Sequence, residues 1–380
     1  MQKREYLDLR KENGARFYYR PESLKKIKDE LESFLTDVDE INTLGYAKKM
    51  MFAHEIQANN QVEGYGDDVT VIEETIKNAS EIKDRERRAR ILNLYNAYKY
   101  ILSEKKIDKE TLKVLYSITS ENALNLHDRT HMGKYYRTKP VYHYLNGRPV
   151  LRRYEDGTYE EDEGIQASRI DEFMDAYFEF LNKEINGSMT DEYIKSQILH
   201  FYFVYIHPYF DVNGRTSRTL SMWYLLNKKI YAYVIFNRGI SFKGTKYDKR
   251  IIEAKTTNDL TYFLKLMLET VELELEKEYV IKAVSESTPS KLTPTDYQTL
   301  LYYLSLNGLR SVFDFASMYN HKNDKKRITD IYDEMIVPLL DKGIFDISRE
   351  TSKEIAGMKN KVLVLRPLEI DKTKVQNLKL

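Results

Sequence analysis

A chain of 380 residues with 60 basic against 59 acidic side chains has a net charge of +1 and no global electrostatic footprint for nucleic acid or an anionic membrane. It holds no cysteine, which excludes disulfides, thiolate metal sites and a cysteine nucleophile, and fits a reducing compartment. Eight prolines and 15 glycines, with abundant Leu, Lys, Glu and Tyr, favour a mainly α fold.

Residues 1–13 are dense in charge and carry no apolar core of a signal peptide. No stretch reaches the roughly 18 apolar residues of a membrane span. The expectation is a soluble, cytoplasmic protein with no membrane partner. Residues 22–58 and 70–120 have helical periodicity, as in Ile91, Leu94, Tyr95, Tyr98 and Ile101. Residues 59–68 interrupt it with two glycines.

From 135 to 159 apolar and polar residues alternate around Asn146-Gly147, with Asp156-Gly157 after it. Such dipeptides supply the positive φ of tight turns, so a β-hairpin is expected. Helices resume at 167–183, and the next is capped by Ser188 or Thr190 and runs to Ile206, where Pro208 stops it. Further helices are expected at 214–227, 246–255 and 259–279. The polar stretch 284–291 reads as a linker. Beyond it, helices at 294–307, 312–319 and 328–342 with strands at 344–347 and 362–365 suggest a winged-helix-like domain. No repeat of fixed period is present.

The chemistry concentrates in residues 207–218, HPYFDVNGRTSR, between a very apolar helix and the start of another. His207, just past a buried helix end, is placed to act as a general base near neutral pH. Asp211 is a hard carboxylate suited to Mg²⁺, which takes one or two carboxylates plus phosphate oxygens and water. Asn213 and Gly214 open the next helix, whose first N–H groups and dipole form an anion site. Arg215 and Arg218, three apart, share a face and can fork onto phosphate oxygens. A base, a metal ligand, an anion nest and two arginines describe a nucleotide-polyphosphate site. The plain alternative is a helix–loop–helix with a capping Asn and two solvated arginines.

This segment resembles the Fic family signature HxFx(D/E)GNGRxxR, matching it at His207, Asp211, Asn213, Gly214, Arg215 and Arg218. Tyr209 stands for the usual Phe, and Val212 for a glycine of the phosphate loop; a β-branched residue resists positive φ there. Residues 133–137 (GKYYR) resemble the family's G-x-x-R stretch before its flap hairpin. Residues 237–241, Tyr247 and 258–261 are similar to downstream family segments, so the likeness spans about 40–280.

The resemblance implies a protein adenylyltransferase with a helical core and a β-hairpin flap, using Mg²⁺ and ATP as co-substrate. His207 would deprotonate a target hydroxyl that attacks the α-phosphorus of ATP. Asp211 would hold Mg²⁺, Asn213, Gly214 and Arg215 would meet phosphate oxygens, Arg218 the γ-phosphate, and Tyr247 the adenine. Residues 59–64, NNQVEG, match the end of the family's inhibitory (S/T)xxxE(G/N) motif at Glu63-Gly64, with Asn59 in the Ser/Thr position. Glu63 would then pair with Arg218 and take it from the γ-phosphate. The flap is implied to pin a target segment by strand addition. The partition that follows is 1–110 for the N-terminal helical region with the inhibitory motif, 111–283 for the catalytic core, 284–291 for the linker and 292–380 for the winged-helix-like domain.

His127 and His131 read as surface histidines, and His200, amid Leu199 and Phe201, as a packed core histidine. The basic run 321–327 (HKNDKKR) could meet DNA phosphates or be a solvated turn. Removal of AMP, transfer of another phosphate-containing group, or nucleotide sensing by a DNA-binding regulator remain alternatives. The partners expected are ATP and a target protein, or the chain itself.

Overall fold

The structure is a computed structural model that describes residues 3–36, 43–141, 144–145, 148–149, 151–153, 159–161, 165–241, 243–287, 310–311, 316, 319–320, 326–337, 345–348 and 364–367. It opens on a hairpin that the periodicity reading passed over. Strands β1 (Glu5–Arg10) and β2 (Arg16–Tyr19) pair antiparallel, with Glu5 opposite Tyr19 and Arg10 opposite Arg16. The signals were present: Leu7, Leu9 and Phe17 lie on the buried face, and Gly14 of an Asn-Gly pair turns the chain at φ +82°. The hairpin is tied across the molecule, since Tyr18 N–H donates to Asn258 O (3.0 Å) and Leu260 N–H to Tyr18 O (2.8 Å).

Helices α1 (Pro21–Thr36) and α2 (Leu44–Met50) lead to a π-helical turn, Met51–Glu55, and then α3, Ile56–Val62. Here the structure corrects the expected break at 59. Asn59 and Asn60 are fully buried within α3, and the Asn59 side chain donates to Tyr98 Oη at 3.0 Å. Tertiary hydrogen bonding overrides the weak helix propensity of Asn.

The periodic run 70–120 resolves into three helices, α4 (Val69–Lys77), α5 (Arg85–Ser103) and α6 (Lys109–Thr119). Asp84 and Asp108 punctuate it as N-caps, Asp84 Oδ1 accepting from Arg87 N–H at 3.0 Å and Asp108 forming a capping box with Thr111. After the short α7 (Leu126–Thr130) come two successive antiparallel ribbons in place of one hairpin. β3 (Tyr144–Leu145) pairs with β4 (Arg148–Pro149), and β5 (Leu151–Arg153) with β6 (Tyr159–Glu161). Asn146-Gly147 and Asp156-Gly157 lie outside the described residues.

α8 (Ile170–Asn182) packs on α9 (Met189–Ile206), which in turn packs on α10 (Asn213–Asn227). Most of α9 is buried, as expected of a helix apolar on all sides at the centre of a bundle. α11 (Phe236–Ser241), α12 (Gly244–Thr257) and α13 (Thr261–Ser287) complete this part, and α11 packs against α3. The mainly α expectation holds.

By contacts the chain divides into two units, Met1–Glu272 and Leu273–Leu380. α13 carries helix through 284–287, the first half of the stretch read as a linker. In the second unit, β7 (Arg310–Ser311), β8 (Phe345–Ser348) and β9 (Val364–Pro367) form an antiparallel sheet in the order β7-β9-β8. Helix α14 (Ile328–Ile331) precedes a π-helical turn at Tyr332–Ile336, and the helix expected at 294–307 lies outside the described residues. Among the described residues no helix is long and apolar enough to cross a membrane.

Candidate functional site

Everything at the site hangs on how α9 ends. Its start is set by a capping box in which Ser188 Oγ accepts from Asp191 N–H (3.3 Å) and the Asp191 carboxylate accepts from Ser188 N–H (2.9 Å). At the other end His207 takes a left-handed conformation, φ +52° and ψ +59°, its N–H still donating to Phe203 O at 2.9 Å. Pro208 then bars another turn. The imidazole thus leaves a rigid, buried helix at a fixed angle, half-buried itself.

Arg137 holds that exit in place, and the sequence reading had it only as part of a resemblance. It is 2 % exposed. Its Nε donates to His207 O (2.9 Å), while its other guanidinium nitrogens donate to Lys139 O (2.7 Å) and Ile165 O (2.6 Å). Its backbone N–H donates to Pro208 O at 3.0 Å. One side chain therefore buckles both ends of the 139–165 segment to the carbonyl of His207.

The loop after His207 is braced from within. Asn213 Oδ1 accepts from Tyr209 N–H (3.1 Å) and Asn213 Nδ2 donates to Tyr209 O (2.9 Å). That side chain is committed to the loop, which leaves its backbone N–H as the group available to an anion. Tyr209 is fully buried and stacks on Tyr116, the ring centroids 3.4 Å apart at 7°. Val212 does adopt the positive φ its β-branch resists, +64°, with its side chain 2 % exposed. Asp211 is exposed, and its Oδ1 accepts from Val212 N–H at 2.6 Å.

The opening turn of α10 already holds a carboxylate. A Cβ placed on Gly214 would lie 2.5 Å from Glu63 Oε1 and 3.0 Å from an Arg218 nitrogen, so only glycine lets the two approach there. Arg218, 1 % exposed, donates from Nη2 to Glu63 Oε1 at 2.5 Å, from Nε to Asn59 Oδ1 at 2.9 Å and from Nη2 to Asn59 O at 3.3 Å. Burial works against the charge on Glu63, but attraction to Arg218 and Arg215 outweighs it and holds the carboxyl below its ordinary 4.5. Arg215 is 7 % exposed, and its buried Nε has no hydrogen-bond partner among the described residues.

Behind Arg218 lies Tyr247, 3 % exposed, whose hydroxyl faces the arginine charge. The same hydroxyl is 2.5 Å from His200 Nε2. Burial, then the Arg218 charge, push the His200 imidazole down to about 3, so it is neutral and shares a hydrogen bond with the tyrosine hydroxyl. His200 is a core histidine, as expected, with a task attached. Tyr247 was assigned to adenine by resemblance; the structure places its hydroxyl in the chain that orients Arg218.

The structure therefore gathers Glu63, Gly214, Arg215, Arg218 and Tyr247 around the start of α10, with His207, Asp211 and Asn213 on the loop that feeds it. Arg137 and Asn59 enter the sequence analysis only as motif positions and His200 only as a core histidine, because the contacts that give them a task span 70, 159 and 47 residues of sequence. Mg²⁺ needs no all-protein cage, so the single carboxylate of Asp211 fits it. Among the described residues no group of three or more His, Asp or Glu could hold a metal ion by itself.

No curated protein matches this chain. Among solved structures, a Fic family protein from Desulfovibrio desulfuricans shares 16 % identity and aligns over 91 % of this chain and 96 % of its own, with a TM-score of 0.54. A fragment of Fic-1 from C. elegans shares 17 % identity over 70 % of this chain and 76 % of its own, at 0.48. A Fic domain containing signaling protein from Bacteroides thetaiotaomicron reaches 15 % identity over 67 % of this chain and 91 % of its own, at 0.39. The first of these speaks for the fold. The model of the Fic/DOC family matches residues 107–225, which takes in α6, the paired ribbons, α9 and the whole of 207–218. Over that segment the chain carries a match to the Fic/DOC family.

Proposed function

We propose that the chain is a protein adenylyltransferase that moves AMP from ATP to a tyrosine, serine or threonine hydroxyl, and that Glu63 restrains it. The family generally transfers AMP or another phosphate-containing group. The observation that carries the finer reading is the carboxylate of Glu63 seated on Arg218 above Gly214, which makes the first turn of α10 an anion-accepting site.

In this reading His207 removes the proton from the target hydroxyl. The oxygen forms a bond to the α-phosphorus, and the bond from that phosphorus to the bridging oxygen breaks, its electron pair leaving with pyrophosphate. Backbone N–H groups of Asn213 and Gly214, with Arg215, carry the charge of the phosphate oxygens, and Arg218 takes the γ-phosphate once Glu63 withdraws. Mg²⁺ held by Asp211 would neutralise phosphate charge. Tyr247 and neutral His200 keep Arg218 aimed at the loop when Asn59 departs with α3.

Incubation with ATP labelled at the α-phosphate tests this. Glu63→Gly is expected to incorporate more label than the wild type. His207→Ala in that background should lose about 10²–10⁴ of the rate while still binding ATP. Equal labelling of wild type and Glu63→Gly would sink the restraint, and labelling indifferent to His207 would sink the transfer itself.

For 292–380 we keep the winged-helix-like reading as a proposal, supported by the β7-β9-β8 sheet. DNA is the less favoured partner. Of the basic run 321–327 the two described residues are neutralised locally, Lys326 by Glu334 at 2.8 Å and Arg327 by Asp330 at 3.2 Å.

A further inference from the structure

Glu63 lies past the end of α3, and its own helix is only part of what fixes it there. Glu63 and Gly64 close the last turn, their N–H groups donating to Asn60 O and Gln61 O at 3.0 Å each. The chain then passes through Gly64, at φ +88°, and Gly66, and a Cβ at either would meet nothing within 4 Å. Two uncrowded glycines in three residues leave the segment little stiffness of its own. Its anchorage comes from α5. The Arg90 guanidinium lies 3.7 Å from the centroid of the Tyr65 ring, and its Nη2 meets Asp67 Oδ2 at 2.8 Å. Arg87 Nε meets Asp67 Oδ1 at 3.0 Å. Asp67 and Arg90 are each 9 % exposed, so this pair is screened far less than the surface pairs of the chain. The Asp67 carbonyl also accepts from Gln57 Nε2 on α3 at 3.0 Å, which ties the clamp back to the helix that bears Asn59.

α5 is a suitable anchor because it also packs on α10, the helix that carries Arg218. One helix thus sets both halves of the Glu63–Arg218 contact. We propose that Asp67, held by Arg87 and Arg90, is a positioning residue for Glu63: the clamp fixes the exit of α3 and so keeps the carboxylate on Arg218. This rests on the reading of Glu63 as a restraint. Asp67 touches neither substrate nor loop; it acts through four residues of backbone and governs how readily α3 gives up Arg218.

The test is AMP incorporation from α-labelled ATP by the full chain, with thermal midpoints measured alongside. Asp67→Asn keeps the shape and removes the charge. It is expected to raise incorporation over wild type by about 5- to 150-fold, the range of ordinary coupling between sites. In the Glu63→Gly background the same substitution should change nothing, because there is no longer a carboxylate to position. A residue that merely supports the fold would instead lower the activity of Glu63→Gly. Arg90→Lys reads the same contact should Asp67→Asn fail to fold, since lysine keeps the charge and loses the fork and the stacking. If Glu63→Gly gains activity while folded Asp67→Asn or Arg90→Lys stays at the wild-type level, the clamp is wrong and the restraint stands. No gain from Glu63→Gly overturns both.

Discussion

Glu63 keeps its charge where desolvation alone would favour the neutral acid, and that has a consequence for pH. A carboxyl held below its ordinary 4.5 by a cation contributes its contact at every pH above that value, and loses it as pH falls through the lowered folded value. The ratio of transfer by Glu63→Gly to transfer by wild type should therefore be flat between about pH 6 and 8. A ratio that falls toward one as pH rises across that window would contradict the ion pair as its source. Val212 poses a different balance. Its αL backbone costs roughly 1–2 kcal/mol, which glycine would recover. Against this, Val212→Gly gives up about 2 kcal/mol of buried side chain and about 0.5–1 kcal/mol of backbone entropy. The net expectation is a loss of about 1 kcal/mol, readable by denaturant unfolding; a loss above about 3 kcal/mol would show that no strain is stored there.

At the scale of elements, α9 delivers His207, but its exit angle depends on Arg137, which lies 70 residues earlier. Arg137→Ala would leave three carbonyls without their donor, that of Ile165 in a buried setting and those of His207 and Lys139 in part-buried ones. At about 1 kcal/mol or more for each unsatisfied group, unfolding measurements should show a loss of about 3 kcal/mol or more. A variant within about 1 kcal/mol of wild type would mean that water replaces the guanidinium. The same logic explains α3. Local propensity argues for a break at Asn59, yet hydrogen bonds to Tyr98 and Arg218 carry the helix on to Val62 and put Glu63 at its exit.

Across the whole molecule, the N-terminal hairpin is part of what steadies α9. Phe17 is fully buried and meets the rings of Phe201, Tyr202 and Tyr205 of α9 edge-on, with centroids 5.2, 6.0 and 5.2 Å away. Phe17→Ala is expected to cost about 3–5 kcal/mol, checked by a thermal or denaturant midpoint. A negligible shift would mean that the hairpin is dispensable to α9.

Periodicity, caps and a dense polar loop were enough to place α8, α9 and α10 and to name His207, Asp211, Gly214, Arg215 and Arg218, because each of those signals is local. A helix stop, an anion nest and a signature loop are written within one or two turns of chain. The hairpin at Asn13-Gly14 is equally local, its turn written in two residues. The pairing of Glu63 with Arg218 was implied by resemblance and is present as an ion pair; the tertiary structure alone decided that Arg137 holds His207, that His200 and Tyr247 stand behind the arginine, and that α5 grips Asp67. Those contacts, the Glu63–Arg218 pair included, join residues 20 to 155 positions apart. Only folding brings them within hydrogen-bonding distance, and burial then strengthens each one.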